Sequence, residues 1–159
     1  MVARGTAVPA IAILLSLLGL LPVIFFAFGA VGVIPETAER MLISLIDYAA
    51  LILAFSGGVH WGLGLAPEAA RPALRLGAGV LPLVIAWVGL VLSQFLSPSI
   101  ALLLLIVGYL ATVLTEHRAA QRLLVPPHYV WMRWGFSIVT VVMMVMVLVL
   151  RGVGQTIVF

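Results

Sequence analysis

Two ionisable side chains, Asp47 and His60, lie within one apolar stretch of the sequence. Burying such a group in a membrane costs several kcal/mol unless it is paired, so both are candidates for proton transfer or substrate binding. Arg40, Ser44 and Asp47 are spaced to share one helical face, which favours a structural ion pair between Asp47 and Arg40, direct or through Ser44 and water. His60 stands beside Trp61 near the far end of the stretch, and we interpret it as an interfacial residue, with ligand binding or proton handling as the alternative.

Glycines are concentrated around His60, in the segment "AFSGGVHWGLGL" at residues 54–65. Each glycine costs a helix roughly 1 kcal/mol relative to alanine, so this concentration predicts close approach of another helix. Ala54, Gly58 and Gly62 form a stripe of small residues that predicts one contact face. Ser56, His60 and Gly64 form a second stripe on the roughly opposite side. The residues expected to pack helices together are Ala54, Gly57, Gly58 and Gly62.

The three histidines offer only a weak metal or haem site. Imidazoles and a carboxylate can bind zinc, iron or copper, and two histidines can hold a haem. His60, His117 and His128 come from separate segments, with Glu116 beside His117, and their spacing lacks the short helical repeat of a strong site. The chain has no cysteine, no phosphate-binding loop and no nucleophile motif. We therefore expect no cofactor and no enzyme activity, and we retain a haem- or metal-binding electron-transfer subunit only as an alternative.

Composition requires a membrane protein. Of 159 residues, 65% are hydrophobic and only 8% are charged, whereas a soluble domain carries about 25% charged residues. Five apolar runs are long enough, or nearly so, to cross about 30 Å of hydrocarbon. We predict an all-α, single-domain bundle over residues 1–159, with spans at approximately Ala7–Val33, Met41–Leu65, Leu76–Leu96, Ile100–Thr115 and Trp134–Leu150.

The arginines predict the orientation of this bundle. With five spans, six arginines fall on the side of the N-terminus and two on the other, so the positive-inside rule places the N-terminus in the cytoplasm and the C-terminus outside. The cytoplasmic arginines form a collar expected to contact anionic lipid headgroups. Nucleic-acid binding is excluded because there is no soluble basic domain. The predicted location is a bacterial inner membrane, since every basic residue is arginine. The collar comprises Arg71, Arg75, Arg118, Arg122 and Arg133.

Two motifs carry a resemblance to a known family. The segment "DYAALILAFSGGVHWGLGL" (47–65), together with "PPHYVWMRWGFSIVT" (126–140), resembles a family of small membrane proteins of unknown function related to transmembrane protein 69. The resemblance implies a five-helix membrane protein without an established activity. In the second motif Tyr129, Arg133 and Thr140 match the family pattern, whereas His128 replaces a tryptophan. In the first, the matching residues are Tyr48, Phe55, Gly57, Gly58, His60, Trp61 and Gly62.

These observations favour a structural, accessory or assembly partner of a larger membrane complex. The chain is small, has few buried polar groups and carries a glycine-faced helix suited to a membrane-protein partner or to a homo-oligomer. A small carrier or proton-coupled channel using Asp47 and His60 with Arg133 is the main alternative.

Overall fold

The computed structural model describes residues 9–67, 69, 71–122, 125 and 127–154, without the side chains of Pro127 and His128. This part of the chain consists of five helices joined by short links and contains no extended strand. All five helices are long and apolar enough to cross a membrane, so the chain is a multi-pass membrane protein, as predicted. They are α1 (Ala10–Gly29), α2 (Pro35–Gly64), α3 (Pro72–Phe95), α4 (Pro98–Gln121) and α5 (Pro127–Gly152).

Proline begins four of the five helices. A proline lacks the N–H that would remain unpaired in the first helical turn, and its fixed φ suits a helix start. Pro35, Pro72, Pro98 and Pro127 occupy this first position in α2 to α5. Before α4, the Ser97 side chain also accepts a hydrogen bond from the Ser99 backbone N–H at 3.2 Å. The helix starts therefore follow from local sequence.

Most of the helices extend beyond the apolar runs that predicted them. α2 begins at Pro35 rather than near Met41, because Glu36 and Arg40 occupy its exposed first turns and pair with each other. α4 likewise continues past Thr115 to Gln121 as one uninterrupted helix. Charged residues at a helix end can reach water, so hydropathy underestimates the helix length.

Consecutive helices pack against one another, and α5 closes the arrangement by packing against α1. α2 also contacts α4 across the interior, which makes α2 the central helix of the bundle. The interior is densely apolar, and its largest fully buried side chains include Leu45, Leu53, Leu105 and Met144. Tyr109 is buried among them and donates a hydrogen bond to the Ala49 carbonyl at 2.9 Å, joining α4 to α2.

Arg151 joins the end of α5 to the link after α1 and to the start of α2, at one end of the bundle. Its Nη1 donates to the Ala30 carbonyl oxygen at 2.9 Å, just beyond α1, and its Nη2 pairs with Glu39 on α2. The opposite end holds the C-terminal turns of α2 and α4 and the first turns of α5. The buried charged residues Glu116 and Arg133 meet there, together with His60.

Candidate functional site

A buried ionic cluster centred on Glu116 lies at the end of the bundle opposite Arg151. The Glu116 side chain is 0% exposed. Its Oε2 accepts a hydrogen bond from Arg133 Nε at 3.2 Å, and its Oε1 accepts one from the Tyr129 hydroxyl at 3.4 Å. His60 Nε2 lies 3.6 Å from the same Oε1. One carboxylate thus contacts a guanidinium, a phenol and an imidazole.

Three helices supply this cluster. His60 lies about 6 Å before the end of α2 and Glu116 about 8 Å before the end of α4, whereas Arg133 lies about 9 Å after the start of α5. Since α5 runs antiparallel to α4, these positions fall at one level. His60 and Arg133 are each only 7% exposed. The cluster therefore cross-links α2, α4 and α5 roughly one and a half turns inside the end of the bundle.

Arg133 retains unused hydrogen-bonding capacity. Its Nη2 is buried and has no hydrogen-bond partner among the described residues, and the same holds for the Oγ of Ser137, one turn further along α5. The guanidinium carbon lies 6.0 Å from the centre of the Tyr109 ring, within the range of a cation–π contact. The cluster is thus a buried Glu116–Arg133 ion pair with the His60 imidazole 3.6 Å from the same carboxylate.

A cavity lies on each side of the cluster. On the His60 side, a cavity of about 360 Å³ opens between α2, α3 and α4. On the Arg133 side, a groove of about 350 Å³ is lined by α1, α2 and α5 and includes Ser16, Tyr129 and Arg133. Apart from these groups and Ser56 the lining of the groove is apolar, whereas the His60 cavity is strongly basic.

Asp47 lies far from this cluster, and its predicted pairing with Arg40 is wrong. Arg40 instead pairs with Glu36 at 2.5 Å, because Glu36 is one turn away on the same exposed face while Asp47 is about 10 Å along the axis. Asp47 is exposed on the side of α2, with no hydrogen-bond or ion-pair partner among the described residues. It stands about 20 Å along α2 from His60, so these two residues do not form one site.

The glycines of α2 divide into two groups. A Cβ atom on Gly57 would collide with the Gly79 carbonyl oxygen, so Gly57 is the point where the backbones of α2 and α3 meet. A Cβ on Gly58 or Gly62 would meet no atom within 4 Å. The expectation that Gly58 and Gly62 pack helices within this chain is therefore wrong, since both turn outward, while Ala54 is half-buried.

Gly58 and Gly62 share an exposed surface with Asp47. The outer face of α2, as we call it, also carries Phe55, which is 80% exposed, and a column of aliphatic side chains. These residues recur at helical spacing over five turns and point away from the bundle. The outer face comprises Ile43, Asp47, Leu51, Phe55, Gly58 and Gly62.

Comparison with known families identifies the chain. A family model described as "Protein of unknown function (DUF3429)" matches residues 8–149. The chain belongs to this DUF3429 family. No curated protein and no solved structure matches. The DUF3429 assignment agrees with the expected membrane protein of unknown function, while the relation to transmembrane protein 69 stays a prediction.

The histidines of this DUF3429 chain do not assemble into a metal site where they are described. His117 is exposed, lies 3.2 Å from the Gln121 amide and packs edge-on against Trp134. The His128 side chain lies outside the described residues. No group of three histidine or acidic residues suited to a metal occurs in the described ranges.

Sequence reasoning missed the partner of His60. The sequence predicts an interfacial His60 that needs no partner, yet the residue is buried against Glu116. Trp61, its neighbour, is partly exposed, and its ring lies against the backbone of Gly79. The sequence does contain a signal for this contact. Glu116 is a single acid at the end of an apolar run, and Arg133 stands 17 residues later, directly before the next apolar run.

Proposed function

We propose that this DUF3429 protein is a non-catalytic accessory or assembly subunit of a larger membrane complex, which it contacts through the outer face of α2. The observation that carries the proposal is Asp47. A carboxylate about 10 Å inside the level of Arg40, on a helix side that no other described part of the chain covers, requires a partner. An uncompensated aspartate near the centre of a membrane helix costs about 2.5–3.5 kcal/mol on insertion scales.

The glycines on the same face support close docking of another helix. Gly58 and Gly62 form a small-xxx-small pair with open space above both Cα atoms. Phe55 stands beside them and supplies apolar area. The face therefore combines a shallow channel for a helix backbone, an aromatic side chain and one carboxylate.

The occupant we propose is a transmembrane helix of a different protein. That helix carries small residues opposite Gly58 and Gly62, and a basic or hydrogen-bond-donating side chain opposite Asp47. A second copy of this chain suits the face less well. Two copies with the same membrane orientation, related by a twofold axis, would bring Asp47 against its own equivalent, and like charges at close range repel.

The proposed setting is a bacterial inner membrane, with the N-terminus in the cytoplasm. The arginine distribution supports this orientation, because six of eight lie on the N-terminal side. The Glu116 cluster and the basic cavity then lie towards the cytoplasm, and Asp47 lies in the outer half of the membrane.

Site-specific photo-crosslinking at native expression tests this function. A benzophenone amino acid replaces Phe55 on the outer face, and in a second strain it replaces Trp87, which is 62% exposed in the middle of α3. We expect one protein adduct of defined mass from position 55 and none from position 87. Asp47→Asn and Gly58→Leu should each lower the yield of that adduct at least fivefold.

Gly135→Leu is the matched control for Gly58→Leu. Gly135 is also exposed, and a Cβ there would meet no atom within 4 Å, so the same bulk is added to a different helix. It should leave the adduct unchanged. Lipid adducts alone at position 55, or an adduct of twice the chain mass, would overturn the proposed hetero-complex.

A further inference from the structure

The cavity beside His60 is lined by an unusual density of positive charge. It lies between α2, α3 and α4 and has a volume of about 360 Å³, within the roughly 300–1,000 Å³ typical of small-molecule sites. Its polar lining consists of three guanidinium groups, one imidazole and one hydroxyl, and no carboxylate of the described chain lines it. These residues are Arg75, Arg118, Arg122, His60 and Thr115.

The three arginines of this cavity are not neutralised by the described part of the chain. None of them forms an ion pair with a described carboxylate, whereas Arg40, Arg133 and Arg151 each do. Glu116 is close by, behind His60, but it is already engaged by Arg133 at 3.2 Å. The cavity therefore keeps a positive potential.

Arg75 supplies the most direct indication of a missing ligand. Its Nη1 donates to the Leu63 carbonyl oxygen at 3.0 Å, which fixes the guanidinium against the end of α2. Its Nε is buried and has no hydrogen-bond partner among the described residues. A buried N–H without a partner costs about 1–3 kcal/mol, so an acceptor from outside the chain would relieve this cost.

We propose that this cavity is a binding site for a phosphate-bearing anion. Guanidinium groups form paired, charge-assisted hydrogen bonds with phosphate oxygens. Arg75, held in place by Leu63, contacts one oxygen, while Arg118 in the last turn of α4 and Arg122 just after its end contact the others. The phosphate belongs either to an anionic lipid headgroup or to a free phosphate or soluble phosphate ester, since the site lies near one end of the bundle. The site does not depend on the outer face of α2.

Native mass spectrometry of the full chain in neutral detergent tests the site. The probes are phosphatidylglycerol, phosphatidylcholine as a zwitterionic comparison, and inorganic phosphate added as a competitor. We expect one phosphatidylglycerol to bind in preference to phosphatidylcholine. Arg118→Gln and Arg122→Gln should each weaken its binding about fivefold, the factor for losing one basic residue near an anionic group.

Arg40→Gln is the matched control, because Arg40 is exposed at the opposite end of the bundle and does not line the cavity. It changes the net charge equally and should alter binding less than twofold, while Arg118→Lys should recover most of the affinity. Circular dichroism confirms that each variant folds. Displacement of the lipid by inorganic phosphate would assign the site to free phosphate, and its failure would assign it to the headgroup. Equal losses for Arg40→Gln and Arg118→Gln, or no preference for the anionic lipid together with no binding of inorganic phosphate, would overturn the proposal.

Discussion

At the scale of single residues, Glu116 is the most constrained charge in the described chain. It is fully buried and contacts residues from both α2 and α5. Breaking a buried ion pair by removing one partner costs about 3–5 kcal/mol, because the other charge is left without compensation. The stability of this end of the bundle therefore depends on Glu116 keeping its negative charge.

Glu116→Gln should strongly lower the thermal stability of the purified protein. The substitution preserves side-chain size but leaves the Arg133 guanidinium, 7% exposed, without a counter-charge. We expect a loss of about 3–5 kcal/mol, measured as thermal or denaturant unfolding in detergent. The double variant Glu116→Gln with Arg133→Met should recover part of this loss, because it removes both charges.

Glu36→Gln provides the control for that measurement. Its pair with Arg40 is also a carboxylate–arginine contact, but both side chains are largely exposed, and exposed pairs contribute little to stability. Glu36→Gln should therefore change the free energy of unfolding only slightly. Equal effects of Glu36→Gln and Glu116→Gln would show that burial of the Glu116 cluster does not matter for folding.

The sequence predicts the contacts of single side chains less completely than it predicts the helices. It singled out Asp47 and His60 correctly as ionisable residues within an apolar segment, since that property is local. It paired Asp47 with Arg40 by helical spacing, but Glu36 competes for Arg40 from one turn away. The contact between His60 and Glu116 joins two helices through tertiary packing, which spacing along one helix does not specify.

At the scale of helices, the contact between α2 and α3 depends on two glycines. A Cβ on Gly79 would lie 2.7 Å from the Gly57 carbonyl oxygen and 2.5 Å from Trp61 Cδ1. Real Cβ atoms essentially never come so close to backbone, so these helices would have to separate if either glycine gained a side chain. Gly57 and Gly79 therefore allow the backbones of α2 and α3 to approach closely.

Gly57→Ala and Gly58→Ala should therefore have opposite effects, although they are neighbours. Gly57→Ala should destabilise the protein, because the new methyl group meets the backbone of α3. Gly58→Ala should stabilise it slightly, since alanine favours a helix by roughly 1 kcal/mol and the site is open. Parallel melting curves of the two variants measure the difference, and a shared direction of change would contradict the assigned packing.

Helix number was predictable from sequence, whereas helix contacts were not. The length of an apolar run is a local property, and each of the five runs corresponds to a helix. Which side of α2 meets a neighbour depends on how α3 crosses it, so Gly57 and Gly58 could not be assigned to different surfaces beforehand. The sequence does not mark Gly79 as a packing residue, because the nearby Gly77 is two residues away rather than at the helical spacing of three or four.

At the scale of the whole molecule, the bundle has two different ends. One end holds the exposed Glu36–Arg40 pair and the Glu39–Arg151 pair, so its described charges are balanced. The other holds the Glu116 cluster and the basic cavity, where arginines outnumber the described acids. This asymmetry follows the arginine distribution in the sequence, on which the proposed cytoplasmic position of the arginine-rich end rests.

Single cysteines should report this orientation directly, because the natural chain has none. Ala66→Cys lies in the link after α2, and Val153→Cys lies just after α5, and both positions are exposed. With the N-terminus in the cytoplasm, a membrane-impermeant maleimide should label Val153→Cys in intact spheroplasts and Ala66→Cys only in inverted vesicles. Detergent-solubilised samples should label at both positions, which controls for reactivity. The reverse pattern would place the arginine-rich end outside, and the basic cavity could then receive only anions from the outer side.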